Sequence, residues 1–84
     1  MSNSPYTLEE LQTILSRCEL AASGPWKASL EGRDHTSGSS CIVTPSGSID
    51  LDGVTDADIE FIAASRAEIP KLVQELAKFR GWRL

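Results

Sequence analysis

Glu31, Arg33, Asp34 and His35 crowd into one short stretch, followed at once by Thr36, Ser37, Ser39 and Ser40. The stretch holds the single histidine of the chain together with an arginine, two acids and four hydroxyls. These residue types suit the holding of an anion. Arg33 offers a planar fork of donors, and His35 a donor that gains a charge on protonation. The segment Ser37-Gly38-Ser39 adds hydroxyls and backbone amides, the usual material of a phosphate or carboxylate nest. The candidate ligand-binding residues are therefore Glu31, Arg33, Asp34, His35, Ser37 and Ser39, and the ligand they suit is an anionic small molecule such as a nucleotide. In an extended chain, residues two apart project to the same side, which would bring Arg33 and His35 together. A plainer reading competes. Gly, Asp and Ser are also what hairpin connections are made of, and Arg33 would then pair with Asp34 or Glu31 and hold nothing else.

Other chemistries fit the residues less well. Cys41 or a serine could act as a nucleophile beside His35, yet no third group is spaced to orient the base. Glu31, Asp34 and His35 are too few and too close along the chain to converge on a metal ion. The acids Asp50, Asp52, Asp56 and Asp58 lack the central glycine and terminal glutamate of a calcium loop. No catalytic residue, metal or cofactor is assigned, and the expectation is a non-enzymatic protein.

The elements that must position this stretch are legible from periodicity. Residues 55–79 place Ile59, Ile62, Ala63, Ile69, Leu72, Val73, Leu76 and Ala77 on one broad helical stripe, with Phe61 and Phe79 at its rim. Thr55 and Asp58 supply an acidic capping box. Pro70 removes a backbone donor inside the run, which predicts a helix kinked or broken there, although the stripe keeps its register across it. At the other end, Thr7 and Glu10 form a capping box for a helix expected to run to about Ala22, with Gly24 at the left-handed C′ position and Pro25 beyond it. From Trp26 the period becomes two: Trp26, Ala28 and Leu30 alternate with Lys27, Ser29 and Glu31. A second strand is expected at residues 40–44, a turn at Pro45-Ser46-Gly47, and a third strand at residues 48–51 with Ile49 and Leu51 inward. The fold class is α+β: an N-terminal helix, a three-stranded antiparallel meander, and a C-terminal helix, with the helices on one face of the sheet. Trp26, Leu30, Ile49, Ile59, Ile62, Leu72, Val73 and Leu76 are the expected core. Trp82 is expected to dock on it.

With 84 residues the chain makes one small domain, residues 1–84, of which 1–5 are expected to be flexible. Its net charge of −4 argues against binding the phosphate backbone of duplex nucleic acid. No apolar run reaches the ~20 residues of a membrane span and no leader pattern is visible, so a cytoplasmic location is expected. Cys18 and Cys41 read as small buried hydrophobes rather than a disulfide framework. A sheet of three strands has two edges, and a domain this small gains from covering one more face. Self-association as a homodimer or higher homo-oligomer is expected, through a sheet edge or the outer sheet face.

Three phrases carry a resemblance. A-A-S-G-P-W at residues 21–26 and D-A-D-I-E-F-I-A-A-S-R at residues 56–66 resemble small accessory proteins of phages and prophages. E-G-R-D-H-x-S-G at residues 31–38 resembles small uncharacterised bacterial proteins with the same C-terminal pattern. The resemblance implies a viral or mobile-element context, in which small acidic proteins block or sequester a component of host defence. It assigns no residue a role. Two functions follow as expectations: a binding protein that holds an anionic small molecule or blocks a host protein, or an interaction module that works through its acidic surface without a small ligand.

Overall fold

The computed structural model describes residues 6–36 and 38–84. In chain order the elements are α1 (Leu8–Leu20), β1 (Lys27–Ser29), β2 (Cys41–Thr44), β3 (Gly47–Asp50) and α2 (Asp56–Phe79). This is the expected α+β order. What was expected of residues 1–5 and of Ser37 lies outside the described residues.

Helix α1 begins as its sequence dictates. The Thr7 hydroxyl accepts the Glu10 N–H at 3.1 Å, and the Glu10 carboxylate accepts the Thr7 N–H at 2.8 Å. Two of the donors orphaned at a helix start are satisfied in this way. The helix stops at Leu20, short of the expected Ala22, and Gly24 does not take the left-handed conformation. Ala21 turns extended instead (φ −69°, ψ 160°). The carbonyl of Ala22, two residues beyond the helix end, accepts Trp26 Nε1–H and Arg66 Nε–H, each at 3.0 Å. These two bonds pin the chain just past the helix end, where a glycine cap was expected.

The sheet is an antiparallel meander in the order β1-β2-β3. Ala28, Ile42 and Ile49 stand directly opposite one another and share a face. Helix α2 lies across β1 and β2 and does not reach β3. Ile42 is therefore completely buried, while Ile49 is 37% exposed, contrary to its expected place in the core. Between β2 and β3, Thr44 closes the turn: its hydroxyl donates to Gly47 O at 2.8 Å and accepts the Ser46 N–H at 3.2 Å.

Helix α2 is continuous over 24 residues, about 36 Å long, and Pro70 does not break it. Thr55 and Asp58 form the expected capping box. Two separate small cores are strung along its length. Near its start, Ile59 and Ala63 pack with Leu30 and Ile42 under the sheet. Near its end, Val73 and Ala77 pack with Leu11 of α1, flanked by Ile14, Leu15 and Trp82. The two helices thus cover different things: α2 roofs the sheet, and α1 packs on the far half of α2 without touching a strand. The result is an elongated body of 52 × 25 × 17 Å with a radius of gyration of 15.8 Å. A compact chain of this length would have about 12 Å.

Because the described residues supply no third layer, the apolar stripe of α2 is only half covered. Leu30, Ile59 and Val73 are buried as expected, and Trp26, Ile62 and Leu76 are half-buried. Leu72 is 63% exposed, against the expectation of burial. The helix ends in a Schellman motif that its sequence also encodes. Gly81 takes φ 75°, its N–H reaches Lys78 O at 3.0 Å, and the Trp82 N–H reaches Ala77 O at 2.8 Å. That turn folds Trp82 back against Ala77, with the Arg80 guanidinium 4.9 Å above its ring.

Candidate functional site

The stretch 31–40 connects β1 and β2 as a tight knot rather than an extended arm. Leu30, buried in the sheet core, anchors it. Leu30 O accepts the N–H groups of Arg33 and Asp34 at 3.1 and 2.8 Å, and the Gly32 N–H reaches His35 O at 2.6 Å. Gly32 sits at φ 89°, a left-handed value that its lack of a Cβ permits. The Glu31 N–H is held by the Ser40 hydroxyl at 3.0 Å.

One carboxylate oxygen is the hub. Asp34 Oδ2 accepts the Leu30 N–H at 2.8 Å, Arg33 Nε–H at 3.0 Å and Arg33 Nη2–H at 2.7 Å. The hydrogen bond from Arg33, followed by that from the Leu30 amide, holds the Asp34 carboxyl below the usual range. The same pairing with Asp34, and then with Glu60, pushes the Arg33 guanidinium further from deprotonation. Arg33 Nη1 completes the arrangement by donating to Glu60 Oε2 at 2.7 Å, which ties the loop to α2. Both ion pairs are open to solvent.

His35 goes elsewhere. Its Nε2 lies 3.2 Å from Ser39 O, which can only accept, so that nitrogen carries the proton. Nδ1 lies 3.0 Å from the Ser29 hydroxyl and shares a hydrogen bond with it. Of the candidate residues, Arg33 and Asp34 are brought together, His35 and Ser39 are brought together, and among the described residues no side-chain hydrogen bond joins the two pairs. Glu31 contributes its backbone. The turn over residues 32–34 removes the extended alternation that would have aligned Arg33 with His35. Ser37 lies outside the described residues. Glu60, facing away from the apolar stripe, is the member that sequence reasoning missed. Only the register of α2 against the loop, 27 residues apart, reveals it.

A second surface has no counterpart in that reading. On α2, Ile62, Ser65, Ile69, Leu72, Leu76 and Phe79 recur at alternating spacings of three and four, beside the buried series Ile59, Ala63, Val73 and Ala77. This is the seam spacing of one helix packing on another. Phe61 (73% exposed) and Phe79 (87%) flank it near either end, and Leu72 stands in between. Beside it, an apolar groove of about 260 Å³ follows the join between the helices, lined by Tyr6, Ile14, Ile69, Leu72 and Leu76. Among the described residues no cluster of His, Cys, Asp and Glu could hold a metal ion, and no helix is long and apolar enough to cross a membrane. Comparison with family models, curated proteins and solved structures finds no match, so the functional reading rests on these two surfaces alone.

Proposed function

We propose that this chain is a non-enzymatic protein-interaction module that engages its partner through the exposed apolar face of α2. One observation carries the reading: Ile62, Ile69, Leu72, Leu76 and Phe79 line the outward side of α2 at helix-packing spacing, with Leu72 and Phe79 largely open to water. Contiguous apolar surface of this kind is uncommon on a soluble monomer and marks a contact site. The loop around Arg33 supports anion binding less well. Its guanidinium donors are already engaged by Asp34, Glu60 and Ala28 O, and both ring nitrogens of His35 have partners. An incoming phosphate would have to displace two carboxylates that repel it. In this reading Arg33 staples the β1–β2 connection to α2.

Cys18 and Cys41 are free thiols, which fits a reducing cytoplasm as the place of action. Interference with a host component, the role implied by the resemblance to phage and prophage accessory proteins, needs a contact surface and no catalytic centre. The test is to compare two variants for activity in the cell. Leu72→Glu should abolish it and Arg33→Ala should spare it. Loss with Arg33→Ala and full activity with Leu72→Glu would overturn the proposal.

A further inference from the structure

We infer that the occupant of this α2 face is a second copy of the same chain, packed antiparallel with its two-fold axis at Ile69. The inference rests on the reading of that face as the interaction surface and names its partner.

Three independent features favour a second copy over an unrelated protein. The first is charge. From Asp56 to the middle of α2, and leaving out Glu60, which Arg33 already neutralises, Asp56, Asp58 and Glu68 outweigh Arg66, a net of −2. Beyond Pro70, Lys71, Lys78, Arg80 and Arg83 outweigh Glu75, a net of +3. A segment that is acidic in the first half of α2 and basic from Lys71 through the tail beyond the helix end is complementary to itself only when reversed. Parallel pairing would set like against like.

The second feature is self-complementary spacing. With Ile69 opposite its own copy, Ile62 faces Leu76 of the second copy, and the small Ser65 comes within one residue of level with the bulky Leu72. Phe61 lies eight residues before Ile69 and Phe79 ten residues after it. At about 1.5 Å per residue the two rings come within about 3 Å of level, so each would cover the other at both ends of the contact. These are the two most exposed aromatic side chains among the described residues.

The third is area. The accessible surface is 6129 Å² for a 9.1 kDa chain. A compact monomer of that mass would expose roughly 4,900 Å². The excess is of the order that one partner loses in a standard interface, about 800 Å². The sheet edges offer a poorer route to cover it. β1 and β3 have only 3 and 4 residues, and they present Lys27 and Asp50. Short, charged edges resist strand pairing.

Sedimentation equilibrium at high micromolar concentration tests the inference. The wild-type chain should weigh twice its sequence mass, and Leu72→Glu should halve that value with its helical circular dichroism unchanged. Val43→Glu, on the outer sheet face, should remain a dimer. In a Cys18→Ala, Cys41→Ala background, Ile69→Cys should form a disulfide-linked dimer on mild oxidation, whereas Phe79→Cys should not. A monomeric wild type, or cross-linking through position 79, overturns the antiparallel copy. If the wild type is monomeric while Leu72→Glu still abolishes cellular activity, the face is an interaction site for another protein and only the homotypic inference fails. If a dimer survives Leu72→Glu and activity survives with it, both fail.

Discussion

Ile59 and Leu72 sit on one helix and on one apolar stripe, yet alanine should treat them very differently. Ile59 is 1% exposed, wedged between Leu30, Ile42 and Ala63. Its truncation removes buried methylenes and leaves a cavity that the short strands cannot close, a cost of about 2–5 kcal/mol. Leu72 keeps 63% of its surface in water. Full burial of a leucine is worth roughly 1.5–3 kcal/mol, so the third that Leu72 buries contributes about 0.5–1 kcal/mol. Urea unfolding followed by circular dichroism in dilute solution reads both values as a change in midpoint at constant slope. The pair also separates fold from function. At high protein concentration the Leu72→Ala penalty should grow, because the wild type alone then gains the stability of association, while the Ile59→Ala penalty remains. Equal losses for the two variants in dilute solution would refute the layer assignment and show that α2 is covered on both sides.

Gly81→Ala should destabilise the chain by about 1–2 kcal/mol, the cost of a left-handed residue with a Cβ, and should loosen Trp82 enough to shift its fluorescence. Asp34, whose folded carboxyl lies below its ordinary value, contributes stability that is fully present above about pH 3.9 and is lost as pH falls through the depressed folded value. Asp34→Asn should therefore flatten the acid limb of a pH-unfolding curve below about pH 4 and leave its neutral region with the same slope. Arg33→Ala should raise amide exchange across residues 32–36 with little change in melting temperature, since exposed ion pairs contribute little. Nucleotides and inorganic phosphate should give no thermal shift with either the wild type or this variant. A phosphate shift lost with Arg33→Ala would restore the loop as an anion site.

Much of the fold could be read before the structure. Both capping boxes are local, closed within four residues, and each needs only its own sequence: Thr7 with Glu10 and Thr55 with Asp58. The apolar stripe likewise foretold that α2 would keep one register through Pro70. What periodicity does not carry is cover. It marks which side of a helix or strand is apolar, not whether another element reaches that side, and Ile49 and Leu72 were misplaced for that reason. Ile49 misses the edge of α2, and Leu72 sits at the rim of the α1–α2 join, where α1 covers only part of it. The two glycine caps show the same limit. Gly24 has the composition of a C′ residue, yet the helix stops at Leu20 with Ala21 extended, and Gly24 takes no positive φ. Gly81, at which no cap was expected, makes the full Schellman turn.

The candidate loop divides along the same line. The pairing of Arg33 with Asp34 is a neighbour contact and was open to sequence reasoning as one of two alternatives. The arm from Arg33 to Glu60 depends on how α2 lies over the sheet, and the partners of His35 depend on where β1 brings Ser29. A turn at residues 32–34 therefore replaced the extended geometry that the anion site required.

The central claim is that contact is made by the outward face of α2 and not by the loop. Site-specific photocrosslinking in the cell tests it most directly, with benzoylphenylalanine placed at Phe61 in one variant and at Thr36 in another. Position 61 should give a discrete protein adduct that disappears when Leu72→Glu is added, and position 36 should give none. An adduct from position 36 alone, unaffected by Leu72→Glu, would contradict the account.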